Sequence, residues 1–175
     1  TWALSPHFDA TFAYGITAPT GRFELGADDN TGLGFWTHQV QAWGNYYPVE
    51  DQSTALVLGL TYELSGDLEG EDFNPGNRLS LEWAISQYVS DRMEVAIMGG
   101  HNWQVTDDRG SVVDWDTSVH DKKSTLSFTA GYWVWNQRMQ LTAKYAFDYA
   151  CAQRFKTNFF MLNLTFLTNA LTGSN

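Results

Sequence analysis

The chain has 175 residues, enough for one domain with a substantial core, and a formal net charge of −10 from 20 acidic and 10 basic side chains. An acidic surface repels phosphate, so a nucleic-acid partner is excluded on electrostatic grounds. The one cysteine, Cys151, rules out an intrachain disulfide and leaves the redox compartment open, and no run approaches the roughly 18 consecutive apolar residues of a membrane-spanning helix.

No basic segment followed by an apolar one opens the chain, so any export signal has been removed or was never included. The mean hydropathy of −0.31 reads as soluble. Transmembrane barrels read the same way, because their lumen and loops are polar.

Taken in chain order, apolar and polar residues alternate with period two, the signature of a strand with one apolar face. The first strand, HFDATFAYGI, puts Phe8, Ala10, Phe12, Tyr14 and Ile16 on one face. The second, FWTHQVQAWGNYY, carries Trp36, Val40, Ala42 and Tyr46. The third, STALVLGLTYELSG, carries Leu56, Leu58, Leu60, Tyr62 and Leu64. The fourth, RLSLEWAISQYV, and the fifth, RMEVAIMGGHNWQV, present Leu79, Leu81, Trp83, Ile85 and Val89, then Met93, Val95, Ile97 and Trp103. The sixth, STLSFTAGYWVW, the seventh, RMQLTAKYAFDY, and the eighth, TNFFMLNLTFL, continue the pattern to Phe166. No helix of credible length and no linker interrupts them. The expectation is a single all-β domain over residues 1–175, with eight antiparallel strands in up-and-down order.

The connections alternate too. Short turns (PVEDQ, SD, NQ) follow strands two, four and six, and long segments follow strands one, three and five. Short turns at one end and long loops at the other are the habit of an outer-membrane barrel. Long loops then lie outside the cell, and both termini are expected in the periplasm.

The two faces differ. The apolar parity of these strands carries no Asp, Glu, Lys or Arg. The other parity carries Asp9, Gln39, Gln41, Glu63, Arg78, Glu82, Glu94, Lys144 and Asp148 among small residues such as Gly59, Ser80, Ala84 and Ser127. An eight-stranded barrel is only wide enough for side chains to fill. It cannot hold the bulky set, so the small, polar face is expected inside and the bulky face against lipid. A lipocalin-like barrel around a greasy ligand and a β-sandwich are the soluble alternatives. Trp36 and Trp103 at the loop end, with Tyr46 and Trp135 at the turn end, fit the aromatic girdles of a membrane interface.

The stretch from Leu81 to Gly110 resembles an outer-membrane β-barrel family associated with the meta-pathway of phenol degradation. The matching residues are Leu81, Glu82, Trp83, Ala84 and Gln87, then Gln104, Val105, Thr106, Asp107, Asp108 and Gly110. APTG at Ala18–Gly21, the pair Phe35–Trp36 before Thr37, and the closing FFMLNLTF are similar to the family as well. The resemblance implies an outer-membrane barrel that helps hydrophobic substrates of aromatic catabolism to cross, with no catalytic residues to carry over. Family members are longer, with strands before the equivalent of Thr1, which implies that this chain is the C-terminal part of a larger barrel.

On the inner face, Arg78 and Glu82 lie four apart, as do Lys144 and Asp148, with Glu94 across a turn. Buried charges must pair, so these, with Glu63, Gln39 and Gln41, form either a structural network or a polar constriction. No cofactor is expected. His7, His38, His101 and His120 make no hydrolase signature, and no Gly-x-Ser-x-Gly is present. The acidic long loops lack calcium-loop spacing and read as a solvated surface, so no metal site is expected. The expected partners are outer-membrane lipid and lipopolysaccharide, and small aromatic solutes. Three functions remain: a porin-like channel for small hydrophobic or aromatic compounds, a side-chain-filled structural or assembly barrel, and a soluble barrel with a hydrophobic ligand.

Overall fold

The structure, a computed structural model, describes residues 1–24, 30–134 and 138–167. Among these residues one antiparallel sheet takes its strands in chain order. They are β1 (Trp2–Ser5), β2 (Phe8–Thr17), β3 (Thr37–Tyr46), β4 (Thr54–Ser65), β5 (Arg78–Ser90), β6 (Met93–Gln104), β7 (Lys122–Trp133), β8 (Met139–Ala152) and β9 (Asn158–Phe166). The eight expected strands are β2 to β9, and the count is corrected to nine by β1. Four residues are too few for a period-two pattern to register. The strand shows itself only through its pairing, Trp2 opposite Ala10 and Ala3 opposite Asp9.

The register keeps the two faces apart throughout. Phe12, Ala42, Leu60, Leu81 and His101 are successive partners on one face. Thr11, Trp43, Gly59, Glu82, Gly100, Thr125 and Asp148 are successive partners on the other. A cavity of ≈ 290 Å³ is lined by side chains of this second face, from Trp43 on β3 to Lys144 on β8. The sheet therefore curls around its small, polar face.

The outward face has no protein covering. Phe12, Tyr14, Leu58, Phe128, Phe160 and Leu162 are all exposed, and Leu68 and Ala146 are the buried apolar residues among those described. Each large apolar side chain left in water forgoes roughly 1.5–3 kcal/mol of burial. Summed along the band, that exceeds the roughly 5–15 kcal/mol by which a whole domain is stable. This face requires an apolar surrounding.

Three irregularities adjust the ladder, the first between Ala3 and Ser5 of β1. The register shifts between Tyr88 and Ser90, and again between Ser124 and Thr125, where Tyr149 becomes the extra residue of β8. Sixth-strand pairing begins at Lys122, two residues before the expected start, so one charged residue joins the outward face. Among the described residues no pairing joins β1 to β9. β1 covers only the first part of β2, and every residue of β9 is exposed. Leu167 donates its backbone N–H to Arg138 O, 2.8 Å, which sets the end of β9 beside the short β7–β8 turn.

Candidate functional site

Along a strand, residues four apart are separated by about 13 Å, whereas direct cross-strand neighbours have Cβ atoms about 4.5–5.5 Å apart. Ion pairs on the inner face accordingly run across strands. Arg78 does not pair with Glu82. Its guanidinium grips Asp121 with both nitrogens, Nη1 to Oδ1 and Nη2 to Oδ2, each at 2.6 Å. It also donates to Asn102 Oδ1 at 3.2 Å. Asp148 pairs with Lys123 at 2.7 Å rather than with Lys144, and accepts further bonds from the Thr125 hydroxyl and from Thr157 N and Oγ1.

The loop end of the inner wall is thus a polar layer. Gly15, Gln39, Glu63, Arg78 and Gln104 share one register row. Gln39 Nε2 donates to Glu63 Oε2 at 2.9 Å, and Gln41 Nε2 to Gln39 Oε1 at 3.4 Å. Arg154, beyond β8, donates to Asn102 Oδ1 at 2.7 Å. Glu82 lines the cavity with Lys123 and Lys144, and Glu94 lines an adjoining one of ≈ 280 Å³. Neither Glu82, Glu94 nor Lys144 has a hydrogen-bond or ion-pair partner among the described residues.

Beyond the polar layer the wall turns apolar. The ring of Trp43 lies over Gly59, its register partner, in the space any side chain at position 59 would need. Val57, Ala84 and Met98 continue the strip, and all three line both cavities. Phe159 and Met161 of β9 lie in register with Ala146 and Lys144 on the same face. Trp43 was missed because it belongs to the polar parity. The signal that reveals it is the glycine opposite.

The long connections interlock at the loop end. Asn74 and Arg109 form an isolated bridge. Asp108 accepts from Gly76 N (2.8 Å), Gln104 Nε2 (2.9 Å) and Trp115 Nε1 (3.1 Å). The Thr106 hydroxyl accepts from Asn77 N at 2.8 Å, and Asp107 meets His120 Nε2 at 2.7 Å. Gly110, at φ 128°, passes so close to Asp72 that a Cβ would collide with its carbonyl. Gln104 to Gly110, the stretch behind the family resemblance, is therefore a clasp between two loops. Ser111 N adds a bond to Asp72 Oδ2, 2.9 Å, and the Ser111 hydroxyl, followed by this N–H, holds that carboxyl below its ordinary value of 3.8.

Trp36 immediately precedes β3, Tyr46 ends it and Trp103 lies at the loop end of β6, with Trp36 and Tyr46 exposed. Trp135 lies outside the described residues. His101 stacks on Trp103 (5.5 Å, 10°), has Tyr149 at its edge (6.3 Å, 87°), and contacts Ser124 Oγ through Nδ1 at 3.0 Å. Among the described residues no carboxylate contacts that ring, so they supply no orienting group for a nucleophilic triad. Among the described residues no group of three His, Cys, Asp or Glu is placed to hold a metal.

No curated protein matches this chain. Among solved structures, the crystal structure of the COG4313 outer membrane channel from Pseudomonas putida F1 is similar, with a TM-score of 0.73 and 19% sequence identity. The alignment covers 90% of this chain and 58% of that one, so this chain spans well under two thirds of the length of its structural relative. At that identity the likeness establishes the fold. The family described as "Putative MetA-pathway of phenol degradation" matches residues 1–164, nearly all the strands and the clasp between loops, and the chain belongs to that family.

Proposed function

We propose that this chain forms the wall of a bacterial outer-membrane channel for small hydrophobic or aromatic compounds. Lipid surrounds its outward face, the long connections lie outside the cell, and the short turns lie in the periplasm. The observation that carries the reading is the composition of the inner wall. A polar layer (Glu63, Arg78, Gln104) stands at the loop end, and an apolar strip (Trp43, Val57, Met98) lies beyond it. A filled structural barrel needs no such strip. A pathway for an aromatic solute does, because flat apolar side chains receive the solute's face while small neighbours leave it room. Membership of a phenol-degradation family and the fold of an outer-membrane channel support the same reading.

In this proposal Arg78 and Asp148, with Glu63, Gln39 and Gln41, set the polarity of the loop-end mouth, Glu82 and Lys144 that of the wall below it, and Glu94 that of the turn end. The test is entry of a small aromatic probe, N-phenylnaphthylamine, into cells with an intact lipopolysaccharide leaflet. Cells producing the full protein should take up the probe faster than cells lacking it, and a Trp43→Ala variant should lose part of that gain. Equal entry in all three would sink the channel reading.

One observation favours a second reading. The edges of β1 and β9 are unpaired among the described residues, and lipid does not tolerate free edges. The sheet then serves as one part of an assembled barrel. The intact mass of the protein from detergent-solubilised membranes, against 19.8 kDa for this sequence, shows whether one polypeptide supplies the missing pairing.

A further inference from the structure

The outward face carries one charged side chain on the described strands, Lys122. It comes from a Lys–Lys pair that the pleat divides. Lys123 turns inward to Asp148, 2.7 Å away. Lys122 turns outward, is exposed, and has no hydrogen-bond or ion-pair partner among the described residues. Its acidic neighbour Asp121 is already held by Arg78. An unneutralised cation on a protein of net charge −10, set on an apolar band, needs an explanation from outside the chain.

Its surroundings supply one. Lys122 is the direct register partner of Trp103, and Ser124 is the partner of His101. His101 lies flat on Trp103 with Tyr149 at its edge, and its Nδ1 meets the Ser124 hydroxyl. Tyr149 is brought there by the bulge in β8. The result is a cation, a hydroxyl and an imidazole among amphipathic rings, all at the loop-end rim of the apolar band. Below this rim Leu126 and Phe128 return the face to pure hydrocarbon. A ligand that fits must place an anion at the rim and acyl chains along the band.

We propose that Lys122, with His101, Ser124, Trp103 and Tyr149, binds the phosphate of a phosphorylated lipid in the outer leaflet, its acyl chains lying over Leu126 and Phe128. A juxtamembrane cation gains about fivefold in affinity from an anionic headgroup, and the aromatic rings position it at headgroup depth.

The test uses the full protein in detergent and native mass spectrometry, with bisphosphorylated lipid A and its dephosphorylated counterpart as probes. Wild type should retain the phosphorylated form preferentially. Lys122→Gln should weaken that binding about fivefold, Lys122→Glu on the order of twenty-fold, and Lys122→Arg should keep it. Excess inorganic phosphate should not displace the lipid. Folding of each variant is checked by heat-modifiable gel mobility, and the Gln and Arg variants carry the test if charge reversal prevents folding. Equal retention by wild type and Lys122→Gln, equal binding of the dephosphorylated lipid, or displacement by inorganic phosphate each overturns the proposal, the last by assigning the site to a free anion. The measurement reads the outward face alone, so its failure is distinguishable from failure of the channel reading, which the inner wall carries.

Discussion

Trp43 and Gly59 face each other across the β3–β4 ladder, the indole of the first occupying the space a side chain on the second would take. The pair sits on the inner face, next to Val57 and Glu82. The absence of one side chain thus sets where the Trp43 indole can lie.

Gly59→Ala should therefore displace the ring of Trp43. Overpacking a close contact costs typically 1–3 kcal/mol, read as a lower unfolding midpoint in detergent. Because Trp43 lines the same cavity as Met98, a shift of its ring changes that space, and uptake of an aromatic probe should fall in the same variant. An unchanged midpoint together with unchanged uptake would mean that Trp43 has another resting place and that the inner wall tolerates it.

Much of the fold could be read from the chain because each strand from β2 to β9 obeys one period. Leu56, Leu58, Leu60, Tyr62 and Leu64 alternate without a break, and the register keeps them on one face. β1 escaped because four residues hold no period, and its evidence is the partner strand. The inner polar residues were legible as a face but not as pairs. Arg78 and Glu82 look adjacent in the chain, yet the sheet puts Asp121, forty-three positions away, against the guanidinium. Pairing across a sheet depends on register, and register is set by loops whose lengths the strand pattern does not encode. The clasp was visible only as a resemblance. Its chemistry, with Asp108 gathering three donors, required the two loops to be side by side.

Asp108 should be the residue on which that clasp depends most. Asp108→Ala leaves Gly76 N and Trp115 Nε1 without their acceptor, and Gln104 Nε2 with Thr106 O alone. Losing the partner of a part-buried donor costs about 1–3 kcal/mol, felt locally as faster hydrogen exchange at Gly76 and at the Trp115 indole. Asp108→Asn keeps an acceptor oxygen and should give a smaller acceleration. If exchange in both loops is unaffected by the alanine, the loops are held by other contacts.

Acid should loosen the same junction through Asp72. The Ser111 hydroxyl and backbone N–H hold this carboxyl below its ordinary 3.8 in the folded chain. A group whose folded value is depressed stabilises above its unfolded value, and that stabilisation is lost as pH falls through the folded value. The Asp72 contribution is thus fully present at pH 5 and above, begins to decline as pH drops below the ordinary 3.8, and is lost once pH passes the depressed folded value. Protease nicking of residues 105–121 with an acid-active enzyme should rise as pH is lowered from 5 to 3. An Asp72→Asn variant should be nicked readily at both. A wild-type profile as flat as the variant's would show that the Ser111 contact does not hold the loop.

The Arg78–Asp121 pair ties the end of a long loop to the inner wall, and its geometry makes the identity of the cation matter. Both carboxylate oxygens are engaged by separate guanidinium nitrogens at 2.6 Å, and the side chains are 24% and 16% exposed. A lysine keeps the charge but cannot supply the fork. Arg78→Lys should therefore cost stability, and Arg78→Ala should cost more by leaving Asp121 with only the longer contact to Arg154 Nε, 4.0 Å. A double-mutant cycle with Asp121→Asn isolates the coupling, expected at about 1–3 kcal/mol for a charge-assisted bidentate pair partly screened by water. Asn102, which accepts from Arg78 and Arg154 and donates to Ser80, remains as a local witness, and its side-chain amide signals should shift in Arg78→Ala. Coupling below about 0.3 kcal/mol, the error of such cycles, would make the pair a surface contact of no consequence. The loop would then be held by its contacts with the neighbouring loop, the Asn74–Arg109 bridge and the bonds at Thr106, Asp108 and Ser111.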